Sequence, residues 1–168
     1  MKQALALEIE ETSTALINSF NSIPKEKVNK IPFESSWTAS QLVQHVILSM
    51  SGFEKLISGQ EAEANRAFDQ SVSDMKAMLE SPEKMKSPPA IEPEMREYDQ
   101  AKQLDNLAGL KTALVSAVLK YDLTKLATAY EFPGGYLTKY EAAFFMLHHT
   151  QRHIKQLQNI ASYESAAK

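Results

Sequence analysis

The sequence predicts an all-α protein, a four-helix bundle of the up-down type with a short extra helix in the connection between the second and third long helices. The five glycines and seven prolines leave long stretches without either residue. In those stretches apolar residues recur every three or four positions, which is the period of one face of an α-helix. No segment shows sustained alternation of β-branched residues, which strands would favour. Because 168 residues fit one compact domain, we expect a single domain over residues 1–168.

The first two helices have recognisable limits. Apolar residues step along one face from residue 2 to about residue 21, and Pro24 ends that helix. The second helix is predicted to begin at Thr38, because Thr38 and Gln41 have the spacing of a capping box, and to end near Gly59. Its inner stripe is predicted to contain Leu42, His45 or Val46, Ser49, Phe53 and Leu56.

The connection that follows is less regular. A short amphipathic helix is predicted from four apolar residues at helical spacing, Phe68, Val72, Met75 and Leu79. Four prolines between Ser81 and Pro93 then exclude a continuing helix, so this stretch is interpreted as an ordered surface connection. The third long helix is predicted from about Asp99 to Tyr121. Its inner face is predicted to contain Leu104, Leu107, Leu110, Leu114, Ala117 and Tyr121.

The fourth long helix follows a loop over residues 122–137, in which the run from Phe132 to Tyr136 contains Pro-Gly-Gly. Thr138 and Glu141 predict a second capping box at the start of the helix. One face is predicted to contain Ala142, Phe145 or Met146, His149, His153, Leu157 and Ile160.

Composition excludes several classes of function. Eighteen basic and 21 acidic residues give a net charge of −3, which argues against nucleic acid as a partner. The chain has no cysteine, which excludes disulfides, zinc-thiolate sites and a cysteine nucleophile. No apolar window is long enough to span a bilayer, and the N-terminus becomes acidic too early for a signal peptide. We therefore expect a cytoplasmic protein without a membrane partner.

Three of the four histidines are candidate ligands of one metal ion. His149 and His153 lie four residues apart, so their imidazoles project from one helix face about 6 Å apart along the axis. His45 lies on the inner stripe of the second helix. Three imidazoles suit Zn²⁺, Ni²⁺, Cu²⁺ or Fe²⁺ and leave positions for water or substrate. The alternatives are a chance surface pair and a hydrogen-bonded core histidine. His148 points about 100° away from His149 and is interpreted as a flanking surface residue rather than as one that lines the mouth of the site.

Other polar side chains have two readings each. Gln156, seven residues after His149, is either a hydrogen-bond partner of the site or an ordinary buried glutamine. Arg152 is interpreted as a solvated charge rather than an anchor for an anionic substrate. Glu54 and Glu141 are possible general bases, although nothing in the sequence places either inside.

Aromatic and apolar neighbours of the histidines also have two readings. Trp37 is interpreted as an apolar staple at the start of the second helix rather than as a residue that lines a substrate opening. Phe53, Phe145 and Met146 are interpreted as core residues rather than as the wall of a pocket.

Two blocks of sequence resemble the DinB-like superfamily, which is named for DNA-damage inducibility and contains four-helix-bundle metalloproteins. WTASQLVQHV at residues 37–46 resembles the start of the second helix of that family. GYLTKYE at residues 135–141, followed by HTQRHIKQL at residues 149–157, is similar to its fourth helix with the pattern H-x-x-x-H-x-x-Q. The family's metal triad, one histidine from the second helix and two from the fourth, maps onto His45, His149 and His153.

The resemblance implies a function as well as a fold. Members include bacillithiol- and mycothiol-linked S-transferases, a thiol-dependent maleylpyruvate isomerase and metal-dependent hydrolases. It therefore implies a divalent transition metal, with Zn²⁺ or Ni²⁺ favoured, that activates a thiol cosubstrate or water against a small electrophile. The expected partners are a small-molecule substrate, such as a low-molecular-weight thiol, and a second copy of the chain in a homodimer. A non-catalytic metal- or ligand-binding protein of the stress response is the alternative.

Overall fold

Helices account for most of the computed structural model, which describes residues 1–83 and 86–166. The five helices in this part of the chain are α1 (Lys2–Asn21), α2 (Ala39–Ser58), α3 (Val72–Glu80), α4 (Gln100–Lys120) and α5 (Lys139–Ala166). They confirm the predicted all-α class, with α3 as the short helix in the second connection. Residues 84 and 85 of the proline-containing connection, and residues 167 and 168 of the predicted domain, lie outside the described residues.

The four long helices pack around one apolar core. α1 contacts α4 and α5, and α2 also contacts α4 and α5, so the order around the bundle is α1, α4, α2, α5. α3 lies outside this ring against α5. Consecutive helices α1 and α2 are therefore diagonal to each other, as are α4 and α5.

Hydrogen bonds at the helix ends give the direction of three helices. Gln100, the first residue of α4, donates from Nε2 to the carbonyl of Phe20 near the end of α1 (3.0 Å). Gln103, one turn further along, donates to the carbonyl of Ser40 at the start of α2 (2.9 Å). α4 is thus antiparallel to α1 and parallel to α2.

The prediction of a simple up-down bundle is therefore wrong. Lys139 at the start of α5 donates to the carbonyl of Gly59 after the end of α2 (3.3 Å), so α5 is antiparallel to α2. The directions along the chain are up, down, down, up. The reason is the connection over residues 59–99, which is long enough to return along the bundle, about 30 Å for a 20-residue helix, before α4 begins.

Both predicted capping boxes are present. The Thr38 hydroxyl accepts the N–H of Gln41 (3.1 Å), and the Gln41 side chain accepts the N–H of Thr38 (3.0 Å). At α5, the Thr138 hydroxyl accepts the N–H of Glu141 (3.1 Å), and the Glu141 carboxylate accepts the N–H of Thr138 (2.9 Å). These boxes set where the two histidine-bearing helices begin, and hence which turns face each other.

A two-stranded antiparallel pair lies outside the sequence prediction. β1 (Glu61–Ala62) pairs with β2 (Leu126–Ala127) and joins the two loops at one end of the bundle. Strands of two residues are too short to show an alternating pattern, so hydrophobic periodicity carries no signal for them. Within the described ranges, no helix has the length and apolar character needed to cross a membrane.

Candidate metal centre

His45, His149 and His153 converge inside the bundle. The seventh residue of α2 and two residues one turn apart on α5 face each other across the α2–α5 interface. All three side chains are buried, and one nitrogen of each ring lies within 4.8 Å of one nitrogen of the others. The predicted juxtaposition of three imidazoles from two distant stretches of chain is therefore observed.

The spacing of the three Nε2 atoms suits a single metal ion. His149 Nε2 lies 3.2 Å from His45 Nε2 and 3.0 Å from His153 Nε2. Two imidazole nitrogens that bind one ion at about 2.05 Å are separated by about 2.9 Å at a right angle and about 3.3 Å at the tetrahedral angle. Both observed distances fall in this interval, so the cluster could hold Zn²⁺ or another divalent transition metal.

A backbone carbonyl in the second connection determines which nitrogen His45 presents. Residues Pro89–Ile91 form a 3-10 turn that packs on α2, and the carbonyl oxygen of Ile91 lies 2.8 Å from His45 Nδ1. A carbonyl only accepts hydrogen bonds, so Nδ1 carries the proton and Nε2 keeps its lone pair for the cluster. The proline-containing connection thus contributes to the site.

Gln156 orients His153 in the same way. Its Oε1 atom lies 2.7 Å from His153 Nδ1, so His153 donates this hydrogen bond and presents Nε2 to the cluster. Of the two readings of Gln156, the hydrogen-bond partner is the one observed, and the ring that it contacts is His153. His149 Nδ1 is buried without a hydrogen-bond partner among the described residues.

Replacing Gln156 with leucine is expected to weaken metal binding about 10- to 100-fold, because His153 loses the acceptor that holds its ring and tautomer. Competition with a chromophoric chelator measures the affinity. The matched control is Gln158→Leu, since Gln158 is exposed on the same helix two residues away. Equal affinities for the wild type and Gln156→Leu would mean that this hydrogen bond does not support the site.

Burial keeps the three rings neutral. Desolvation lowers the pKa of His149 well below the usual range, and the neighbouring His153 and His45 rings lower it further. Desolvation also lowers the pKa of His153 to about 3, although the bond to Gln156 opposes the shift. The pKa of His45 is lowered by burial and raised in part by its bond to Ile91. At neutral pH the cluster therefore offers unprotonated nitrogens, which is the form that binds metals.

Two half-buried aromatic rings border the cluster. The centroid of Trp37 lies 5.3 Å from that of His45, and Phe145 stacks on His149 at 5.7 Å with an interplanar angle of 20°. Trp37 therefore borders the site as well as preceding α2. The interpretation of Phe145 as a simple core residue is wrong, because its ring is half-buried beside a histidine of the cluster. Met146 is buried, as predicted.

Arg152 and His148 lie outside the cluster. The Arg152 guanidinium donates to the carbonyls of Leu79, Ser81 and Glu83, so it holds the end of α3 and the next residues against α5. It is not the solvated charge that was predicted. His148 is half-buried, contacts the Phe144 ring (4.2 Å between centroids) and lines a groove of about 270 Å³ on the outer side of α5.

Glu141 lies inside the protein, which the sequence did not indicate. Its side chain is 0 % exposed and makes two hydrogen bonds to the Arg66 guanidinium, of 2.7 and 2.6 Å. It also accepts the N–H of Ser71 (2.8 Å) and of Thr138. Its oxygens are thereby occupied by donors, so Glu141 joins the loop before α3 to the start of α5 and is not positioned as a general base.

The partners of two candidate residues, His45 and Glu141, could not be found from the sequence. Ile91 contributes a backbone carbonyl, which has no side-chain signature, and its position depends on the path of the proline-containing connection. Arg66 lies 75 residues from Glu141 along the chain, in a segment without periodicity, so no spacing rule connects the two. Hydrogen bonds of this kind follow from the tertiary fold alone.

The protein is a helical bundle with a buried cluster of three histidines, two of them one turn apart on the last helix, and this cluster could hold a metal ion. The chain belongs to the DinB superfamily, whose family model matches residues 8–157. This match includes all three histidines, the whole of α2 to α4, and α1 from residue 8 onward. No curated protein and no solved structure matches the chain significantly.

Proposed function

We propose that the protein is a divalent-metal-dependent enzyme that directs a thiol cosubstrate or a water molecule against a small electrophilic substrate, as an S-transferase or a hydrolase. His45, His149 and His153 are the proposed ligands, and Zn²⁺ or Ni²⁺ the proposed ion. The observation that carries the proposal is the convergence of three buried, neutral imidazoles at distances that suit one ion.

Bound there, a divalent cation lowers the pKa of a coordinated thiol or water and so raises its nucleophilicity near neutral pH. The protein's own residues determine access and orientation. Ile91 and Gln156 hold two of the rings with their Nε2 atoms toward the cluster. Three protein ligands leave room for a nucleophile, whereas structural zinc sites normally have four. Because the three histidine rings are buried, they are shielded from bulk water.

Turnover is expected to follow metal occupancy. The test uses protein without a histidine tag, first treated with a chelator and then titrated with Zn²⁺ or Ni²⁺. Thiol-transfer and hydrolase activities are measured at each step. A rise in activity that saturates at one ion per chain supports the proposal. Full activity in the chelated protein, with metal content at background, would contradict it.

A non-catalytic metal- or ligand-binding role in a stress response is the second candidate. It is favoured by one observation: among the described residues, no carboxylate hydrogen-bonds to the three histidines, and Glu141 is occupied by Arg66. An enzyme that needs a protein acid or base would have to use another group. Tight ligand binding by the metal-loaded protein, without turnover in the thiol-transfer and hydrolase assays, supports this candidate.

The proposed partners are a small-molecule substrate, such as a low-molecular-weight thiol, and a second copy of the chain. The homodimer rests on family resemblance rather than on a contact in the structure. Sedimentation equilibrium of the tag-free protein measures the mass directly, and a mass close to 18.8 kDa would contradict a dimer.

A further inference from the structure

Four aromatic side chains form a continuous row from the protein surface to the histidine cluster. We call the row of Tyr130, Phe132, Phe53 and Phe145 the aromatic strip. Phe145 stacks on Phe53 at 5.1 Å and 20°, Phe53 on Phe132 at 6.3 Å and 22°, and Phe132 meets Tyr130 edge-on at 4.8 Å. At its inner end Phe145 stacks on His149.

Each of the four residues of the strip is at least partly exposed. Tyr130 is 58 % exposed, and the other three rings are half-buried, unlike the three histidines, which are buried. The four rings from Phe132 to His149 form three successive pairs, and the interplanar angle of each pair is 20° to 22°. The exposed part of each ring offers apolar surface that an aromatic or other flat apolar group can contact.

A turn in the chain holds the outer half of the strip in place. The N–H of Gly135 donates to the carbonyl of Phe132 (2.8 Å), and the N–H of Phe132 donates to the carbonyl of Gly135 (3.3 Å). Pro133 suits the first central position of such a turn. Gly135 has φ of 96°, a conformation that residues with a side chain rarely adopt. The Pro-Gly-Gly run therefore positions the Phe132 ring against Phe53.

We propose that the aromatic strip binds a planar apolar group of the electrophilic substrate and brings its reacting atom to the cluster. This inference rests on the proposed function, and it specifies the substrate class: molecules that carry an aromatic or similarly flat apolar group. Two features carry it, the continuity of the strip with His149 and the partial exposure of every ring in it. The only tryptophan, Trp37, lies on the His45 side of the cluster and provides a built-in reporter.

The test is quenching of Trp37 fluorescence by nitrobenzene, an unreactive neutral aromatic probe, in the purified protein. Quenching is expected to saturate. Nitromethane, which has the nitro group but no ring, is expected to quench linearly without saturation. Replacing Phe53 with leucine is expected to weaken nitrobenzene binding about 2- to 10-fold, the range for loss of one aromatic contact. Linear quenching by both probes would overturn the proposal.

The matched control is Phe144→Leu. Phe144 lies on α5 and is half-buried like Phe53, but it contacts Tyr140 and His148 instead of the strip. Equal weakening in Phe144→Leu and Phe53→Leu would overturn the proposal, since it would indicate unspecific apolar binding. If Phe53→Leu does not fold, Tyr130→Ala replaces it, because Tyr130 is exposed and its loss leaves the core intact. Unchanged binding in Tyr130→Ala, with dissociation of a dimer, would assign the strip to a second copy and overturn the proposal.

Elemental analysis of the same samples separates this inference from the proposed function. Saturable nitrobenzene binding with background metal content supports the strip as a ligand site and contradicts the metal-dependent enzyme. One metal ion per chain together with linear quenching supports the metal site of the proposed function and contradicts the strip as a ligand site.

Discussion

Replacing His149 with alanine is expected to remove the metal from the protein. His149 is the central ring of the cluster, since its Nε2 lies within 3.2 Å of both other Nε2 atoms. Loss of a direct ligand should weaken metal binding by more than the roughly 100-fold that loss of a supporting hydrogen bond causes. Elemental analysis of tag-free protein, purified without nickel resin, should show about one metal ion per chain in the wild type and background in the variant.

The neighbouring histidine provides a matched control. His148→Ala removes an imidazole one position away that contacts Phe144 outside the cluster, so its metal content should equal that of the wild type. Equal metal content in the wild type and His149→Ala would remove the cluster as the metal site.

Replacing Glu141 with alanine is expected to destabilise the fold by about 3 kcal/mol, the lower end of the range for breaking a buried ion pair. The lower end applies because the Arg66 side chain is 22 % exposed and regains some hydration. The variant also leaves the N–H groups of Ser71 and Thr138 without their acceptor. Urea unfolding followed by circular dichroism measures the change. Glu94→Ala, which removes an exposed ion pair with Arg96, should change stability little.

The effect of Glu141→Ala should depend on pH in a defined direction. Burial alone would raise the pKa of Glu141, but Arg66 and the N–H donors of Thr138 and Ser71 outweigh it and lower the pKa. A carboxyl with a lowered pKa stabilises the fold fully above its unfolded pKa of about 4.3 and loses this contribution as the pH falls through the folded value. The stability difference between wild type and variant should therefore be full at pH 7 and narrow below about pH 4. A constant difference from pH 7 to pH 3 would contradict the ion-pair account.

Helices and the histidine cluster were predictable because their signals are local. Capping boxes need residues three apart, and a helix face repeats every 3.6 residues, so Thr38 and Gln41 predict the start of α2, and the spacing of His149 and His153 predicts a shared face. His45 lies on the predicted inner stripe of α2, so its ring is expected in the same core as the other two.

The course of the chain between helices was not predictable in this way. The direction of α4 depends on how far the second connection travels, and a run of prolines excludes a helix without giving a path. The bond from His45 to the Ile91 carbonyl and the ion pair of Glu141 with Arg66 both depend on that path. The burial of Phe53 and Phe145 was not predictable either. Helical spacing predicts which residues face inward, but not which of them stay half-exposed at the edge of that face.

Anomalous diffraction from crystals of the tag-free protein loaded with Zn²⁺ tests the central claim most directly. We predict one anomalous peak bonded to the Nε2 atoms of His45, His149 and His153, with Ile91 and Gln156 on the opposite nitrogens of the first and last rings. A peak elsewhere, or an ion bound by only two of the three histidines, would contradict the account.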